Sequence, residues 1–174
     1  MKLIQLKFSG LAFVFFFCLA SFAQDTITVK LFVNLKTLER GNINSSCRFE
    51  ATHSNYDSVI KSNGSLEDFL IVATKNDVVL WEGASATDCC EVIDIKKIKR
   101  EDGTRIFESK SKKGSKLGAT RNKIVAPKIM NITDAGEDYK YQLKFKVNRK
   151  WRAYKIDPKI RVGNAMIEKD YWKD

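Results

Sequence analysis

Between residues 27 and 35 every second residue is apolar: Ile27, Val29, Leu31, Val33 and Leu35, with Thr28, Lys30 and Asn34 among the residues between them. Tyr139, Tyr141, Leu143, Phe145 and Val147 repeat the pattern, separated by Lys140, Gln142, Lys144 and Lys146. Successive side chains of a strand point to opposite faces. Each run therefore has one apolar and one wet face, and the apolar face must be covered by a second layer. Shorter runs fit the same plan. Residues 68–74 (DFLIVAT) and 78–82 (VVLWE) flank a polar turn and are predicted as a hairpin. Strands are also expected in residues 91–99, 104–108, 151–156 and 159–162. Residues 123–132 make a further strand, placed at an edge because Pro127 cannot donate to a ladder. Helical periodicity is nearly absent; a turn or two is expected at residues 66–69 or 165–172. Residues 42–64 are polar and read as a long loop. The expected fold is all-β: a single two-sheet β-sandwich, immunoglobulin-like or cupredoxin-like, of eight or nine strands.

The first 23 residues read as an export signal. Lys2 and Lys7 make a positive start, residues 11–20 are apolar, and Ser21 and Ala23 are small residues at the −3 and −1 positions of a cleavage site. The apolar run is shorter than the roughly 20 residues that a spanning helix needs. Cleavage after Ala23 leaves 151 of 174 residues, a length suited to one domain. The expected division is a leader (1–23), a sandwich (24–162) and a tail (163–174), and the expected location is periplasmic or extracellular.

The chain holds 31 Lys and Arg against 21 Asp and Glu, a net charge of +10. Such a charge favours anionic partners and says nothing of fold. Its densest part is Lys110, Lys112, Lys113, Lys116, Arg121 and Lys123, which share a segment free of Asp and Glu. With Gly114 and Gly118 among them, these residues read as a loop suited to gripping phosphates or sulfates, with a merely solvated loop as the alternative. An acidic glycan or envelope polymer is the expected partner; nucleic acid is not.

Several segments together resemble small secreted β-sandwich proteins of Flavobacteria-type bacteria and, more remotely, the PixA/AidA-type inclusion-body proteins. They are Val33-Asn34-Leu35-Lys36-Thr37-Leu38, Asn76-Asp77-Val78-Val79-Leu80-Trp81-Glu82-Gly83, Gly136-Glu137-Asp138-Tyr139-Lys140-Tyr141 and Ile156-Asp157-Pro158-Lys159-Ile160-Arg161-Val162. The resemblance spans residues 27–162. It implies one sandwich domain without enzymatic activity and carries no catalytic residues over. The export signal and the twelve residues after Val162 depart from the inclusion-body pattern.

Sites for chemistry are few. The segment Asp77-Val78-Val79-Leu80-Trp81 resembles a cupredoxin strand, yet a blue-copper site needs two imidazoles and the chain has one histidine, His53. Cys47, His53, Cys89 and Cys90 lack the spacing of a zinc site, and His53 is read as a solvated loop residue. An oxidising compartment permits a disulfide between Cys47 and either Cys89 or Cys90; three reduced, buried cysteines are the alternative. Asp134, Glu137 and Asp138 offer oxygens of the kind calcium takes, without EF-hand spacing; a polar turn leading into the strand at Tyr139 is the favoured account of them. No other cofactor is implied. Trp81, Trp151, Tyr154 and Trp172 can stack on sugars or serve the core. The sequence thus supports an exported, non-enzymatic binding or structural module. A calcium-assisted, lectin-like glycan binder and a self-assembling inclusion-type protein are the alternatives.

Overall fold

The computed structural model describes residues 25–38, 42–56, 59–87, 90–116 and 122–164. The leader, most of the tail, Cys89, Arg121 and Trp172 lie outside these residues. The element order is β1 (Thr26–Val33), α1 (Leu35–Leu38), α2 (Ile43–Ser46), β2 (Cys47–His53), β3 (Ile60–Ser62), β4 (Leu70–Thr74), β5 (Val78–Ser85), β6 (Ile93–Asp102), β7 (Ser111–Lys113), β8 (Tyr139–Val147), β9 (Tyr154–Ile156) and β10 (Lys159–Gly163). The smaller sheet runs β2-β1-β5, and the larger runs β3-β4-β10-β8-β6-β7, with β9 beside β8. The two sheets pack as an all-β sandwich. No helix among the described residues is long and apolar enough to cross a membrane.

The two long alternating runs behave as their period demands. In β1, Ile27, Val29, Leu31 and Val33 are buried, and in β8 Tyr139, Tyr141, Leu143, Phe145 and Val147 are buried. β1 stops at Val33, two residues before Leu35, which opens α1 instead. The Asn34 carboxamide accepts the Lys36 and Thr37 N–H groups at 3.1 and 3.4 Å and so caps α1. Across the sandwich, Trp81 of β5 donates its indole N–H to the Tyr141 hydroxyl at 2.9 Å, and Phe49 of β2 stacks on Phe69 at 4.6 Å. Each fully buried Val, Leu, Ile or Phe contributes roughly 1.5–3 kcal/mol of transfer free energy.

Three expectations are corrected. The runs at 68–74 and 78–82 form β4 and β5, which do not pair. β4 lies parallel to β10 in the larger sheet, and β5 lies parallel to β1 in the smaller. The turn between them carries the chain across layers. Asn76 takes φ 82° there, and the Asp77 carboxylate holds the Thr74 N–H and hydroxyl at 2.7 and 2.8 Å. Residues 42–64 are not one loop: they hold α2, β2 and β3. In β2 the buried positions Cys47 and Phe49 alternate with Arg48 and Glu50, a pattern too short to stand out among polar neighbours. The segment 66–69 does not form a helix; the one-turn helices are α1 and α2.

Residues 123–132 form bridges rather than a continuous strand. Trp81 and Val125 exchange two backbone hydrogen bonds, and Val79 N–H donates to the Pro127 carbonyl. On its other side the segment bridges Ser115 through Ile124 and Phe107 through Ile129, so it links the rims of the two sheets. Gly83 allows the close approach of β5 to β6, since a Cβ there would lie 2.5 Å from the Ile93 carbonyl oxygen.

Candidate functional site

The pairing register assembles a row that the alternation alone half reveals. Lys144 of β8 stands opposite Lys97 of β6 on one side and Lys155 of β9 on the other. Lys97 in turn stands opposite Lys113 of β7. Directly opposite residues project from the same face of a sheet. Lys113, Lys97, Lys144 and Lys155 therefore lie side by side on the outer face across four strands, opposite to the buried Leu143 and Phe145. Neighbouring strands lie 4.7–4.9 Å apart, so the row is about 14 Å long. Lys30, Lys112, Lys140 and Lys159 each pair with a carboxylate; among the described residues the four lysines of the row make no such pair.

A bulge extends the basic face. The register shifts between Ile95 and Lys97, which leaves Lys96 as the extra residue. Burial, followed by the charges of Lys123 and Lys146, holds the Lys96 ammonium below its ordinary pKa, while Asp94 works in the opposite direction. Asp94 is buried opposite Lys146 and accepts the Lys123 N–H at 2.7 Å. Beside the row, the Lys96 ammonium thus feels the charges of Lys123, Lys146 and one buried carboxylate, Asp94.

The basic segment expected as one loop is divided. Lys113 belongs to the row and Lys123 to the adjoining cluster. Lys112 pairs with Glu108 at 3.5 Å. Lys110 and Lys116 are exposed at its margins, and Arg121 lies outside the described residues. Ser111–Lys113 is an edge strand rather than a loop. Gly114 holds it against β6 so closely that a Cβ would meet the Ile95 carbonyl oxygen at 1.8 Å. Three consecutive polar residues gave no periodicity by which to find that strand.

The Thr104 hydroxyl brings Asp134 and Glu137 together, at 2.8 and 3.4 Å. Asp138 turns instead to Arg161, whose Nε lies 2.8 Å from its carboxylate. Cys47 is a buried free thiol whose pKa burial pushes up to about 12; Cys90 is exposed. His53 is corrected from a solvated loop residue. It ends β2 with its side chain enclosed, close to Asp77. Trp81 is a core residue. Trp151 is 90% exposed at the mouth of a cavity of about 320 Å³ floored by Leu35, Leu38, Val147 and Tyr154. The Arg152 guanidinium lies 5.2 Å from the centre of the Tyr154 ring.

No family model matches the chain, and no curated protein does. Among solved structures, the fold is similar to the crystal structure of the inclusion body protein PixA from Burkholderia cenocepacia J2315. The TM-score is 0.59 at 12% identity, over 79% of this chain and 94% of that one. At this identity the likeness is one of fold.

Proposed function

We propose that this chain is an exported, non-enzymatic module that holds an acidic polymer across the outer face of its larger sheet. The row of Lys113, Lys97, Lys144 and Lys155 carries the reading. Like charges directly opposite one another oppose folding, whereas the same spacing suits a ligand with repeated anionic groups. A polymer lying along the row meets an ammonium about every 4.8 Å. Lys96, Lys123 and Lys146 add charge beside it. Carboxylated, sulfated and phosphorylated polymers share the required chemistry. Export rests on the leader at residues 1–23.

The test compares retention on alginate, dextran sulfate and neutral dextran. The double variant Lys97→Glu/Lys144→Glu should lose at least about tenfold in affinity, or about 1.4 kcal/mol. Lys36→Glu, on α1, changes the net charge without touching the row and should lose under about twofold. Equal losses in both variants would replace the row by diffuse charge, and no retention of the unmodified protein would remove the reading. Chelator should leave binding unchanged. Loss in chelator would transfer the site to Asp134, Glu137 and Asp138. Self-assembly is the second reading, favoured by the likeness to an inclusion body protein. It requires association that grows with concentration in the absence of polymer.

A further inference from the structure

The smaller sheet brings together a second group that the polymer reading does not use. β2, β1 and β5 are neighbours, and Asp25, His53 and Asp77 stand at the same end of them. Asp25 directly precedes β1, His53 ends β2 opposite Ile27, and Asp77 directly precedes β5. One ligand atom from each lies within 4.8 Å of the other two. The His53 and Asp77 side chains are 0% and 4% exposed.

His53 Nε2 is buried and has no hydrogen-bond partner. It points toward Asp77 Oδ2 at 3.9 Å. That separation is too long for a hydrogen bond. Two ligands at about 2.0–2.1 Å on a tetrahedral zinc lie about 3.3 Å apart, so the pair closes by about half an ångström when it takes up an ion. Both carboxylates are held in place: Asp77 by the Thr74 N–H and hydroxyl, and Asp25 by the Asn55 carboxamide. Hydrogen bonds of this kind orient metal ligands. The Tyr56 ring closes on the imidazole at 4.6 Å.

We infer that Asp25, His53 and Asp77 form a binding site for a divalent transition-metal ion of the zinc class. Two carboxylates balance the ion's charge. The imidazole selects against calcium and magnesium, which take oxygen ligands. Solvent completes the coordination, and the ion ties together the ends of three strands. One rearrangement accompanies binding. In the structure His53 Nδ1 accepts the Asn55 N–H at 2.9 Å, which puts the ring proton on Nε2. Ligation through Nε2 moves that proton to Nδ1. The Asn55 N–H, on an exposed turn, then turns to water.

The chain has a single histidine, so its ring nitrogens are read without ambiguity. Purified, untagged full-length protein, labelled with ¹⁵N, is titrated with zinc while calorimetry gives the stoichiometry. The expected result is one zinc per chain, a metal-shifted Nε2 signal and a proton newly resident on Nδ1. Asp25→Asn, at a strand margin, should weaken binding by at least about tenfold and keep the fold. Zinc uptake without change at the imidazole would place the metal elsewhere, at cysteine for example, and overturn the inference. Absence of uptake at micromolar zinc would overturn it as well.

Discussion

Lys144→Gln should make the protein more stable and a weaker binder of polyanions at once. Lys144 has two like-charged neighbours in register, Lys97 and Lys155. Side chains directly opposite have Cβ atoms about 5 Å apart. Two unit charges at that distance in water repel by about 0.8 kcal/mol. A Debye length of about 8 Å at physiological salt roughly halves this. The ammonium groups splay apart and reduce it again. With two neighbours, the expected gain is about 0.5 kcal/mol at physiological salt, larger at low salt and near zero in 1 M salt. Lys146→Gln is the control: Lys146 stands opposite Asp94, so its removal should bring no gain. Urea denaturation at three salt concentrations measures both variants. A Lys144→Gln protein no more stable than its parent at low salt, or equally stabilised at all salt concentrations, would refute the electrostatic reasoning.

Tyr141→Phe should cost about 1–3 kcal/mol in urea denaturation, because it leaves the fully buried Trp81 N–H without an acceptor; a cost below about 0.3 kcal/mol would contradict the cross-sheet bond. Cys47, with its pKa pushed up to about 12, should resist alkylation at pH 8 in the folded protein and react on unfolding; mass spectrometry of the modified peptide decides this. The Ser65 hydroxyl, followed by Lys159, holds the Asp68 carboxyl below its ordinary pKa of 3.8. That lowering supports the fold above the unfolded value and is lost as pH falls through the folded one. Ser65→Ala should therefore bring the Asp68 NMR titration back toward 3.8; an unchanged titration would contradict the role given to Ser65.

Local pattern carried what local physics decides. β8 matches its alternating run, because one face of that run had to be buried. The partners of each strand were not legible. The turn around Asn76 and Asp77 looks like a hairpin turn in sequence, yet it sends β4 and β5 into different sheets. The lysines at 140, 144 and 146 were placed on one face from their spacing alone. That Lys97, Lys113 and Lys155 stand level with Lys144 depends on register across four strands, and the bulge at Lys96 sets that register. His53 was misjudged for the same kind of reason. Its surroundings in sequence, Thr52, Ser54 and Asn55, are polar, whereas its enclosure comes from Tyr56 and from Asp77 in the distant turn before β5.

The central claim is that four aligned lysines act together on one polymer. The most direct test is the slope of log affinity against log salt for a linear polyanion. It is measured on the parent protein and on a variant with Lys113, Lys97, Lys144 and Lys155 all changed to Gln. Each lysine engaged on an anionic chain releases a fraction of a counterion, about 0.7–0.9. The row predicts a slope shallower by about 3 in the variant. An equal slope in both proteins would mean that the charges holding the polymer lie elsewhere.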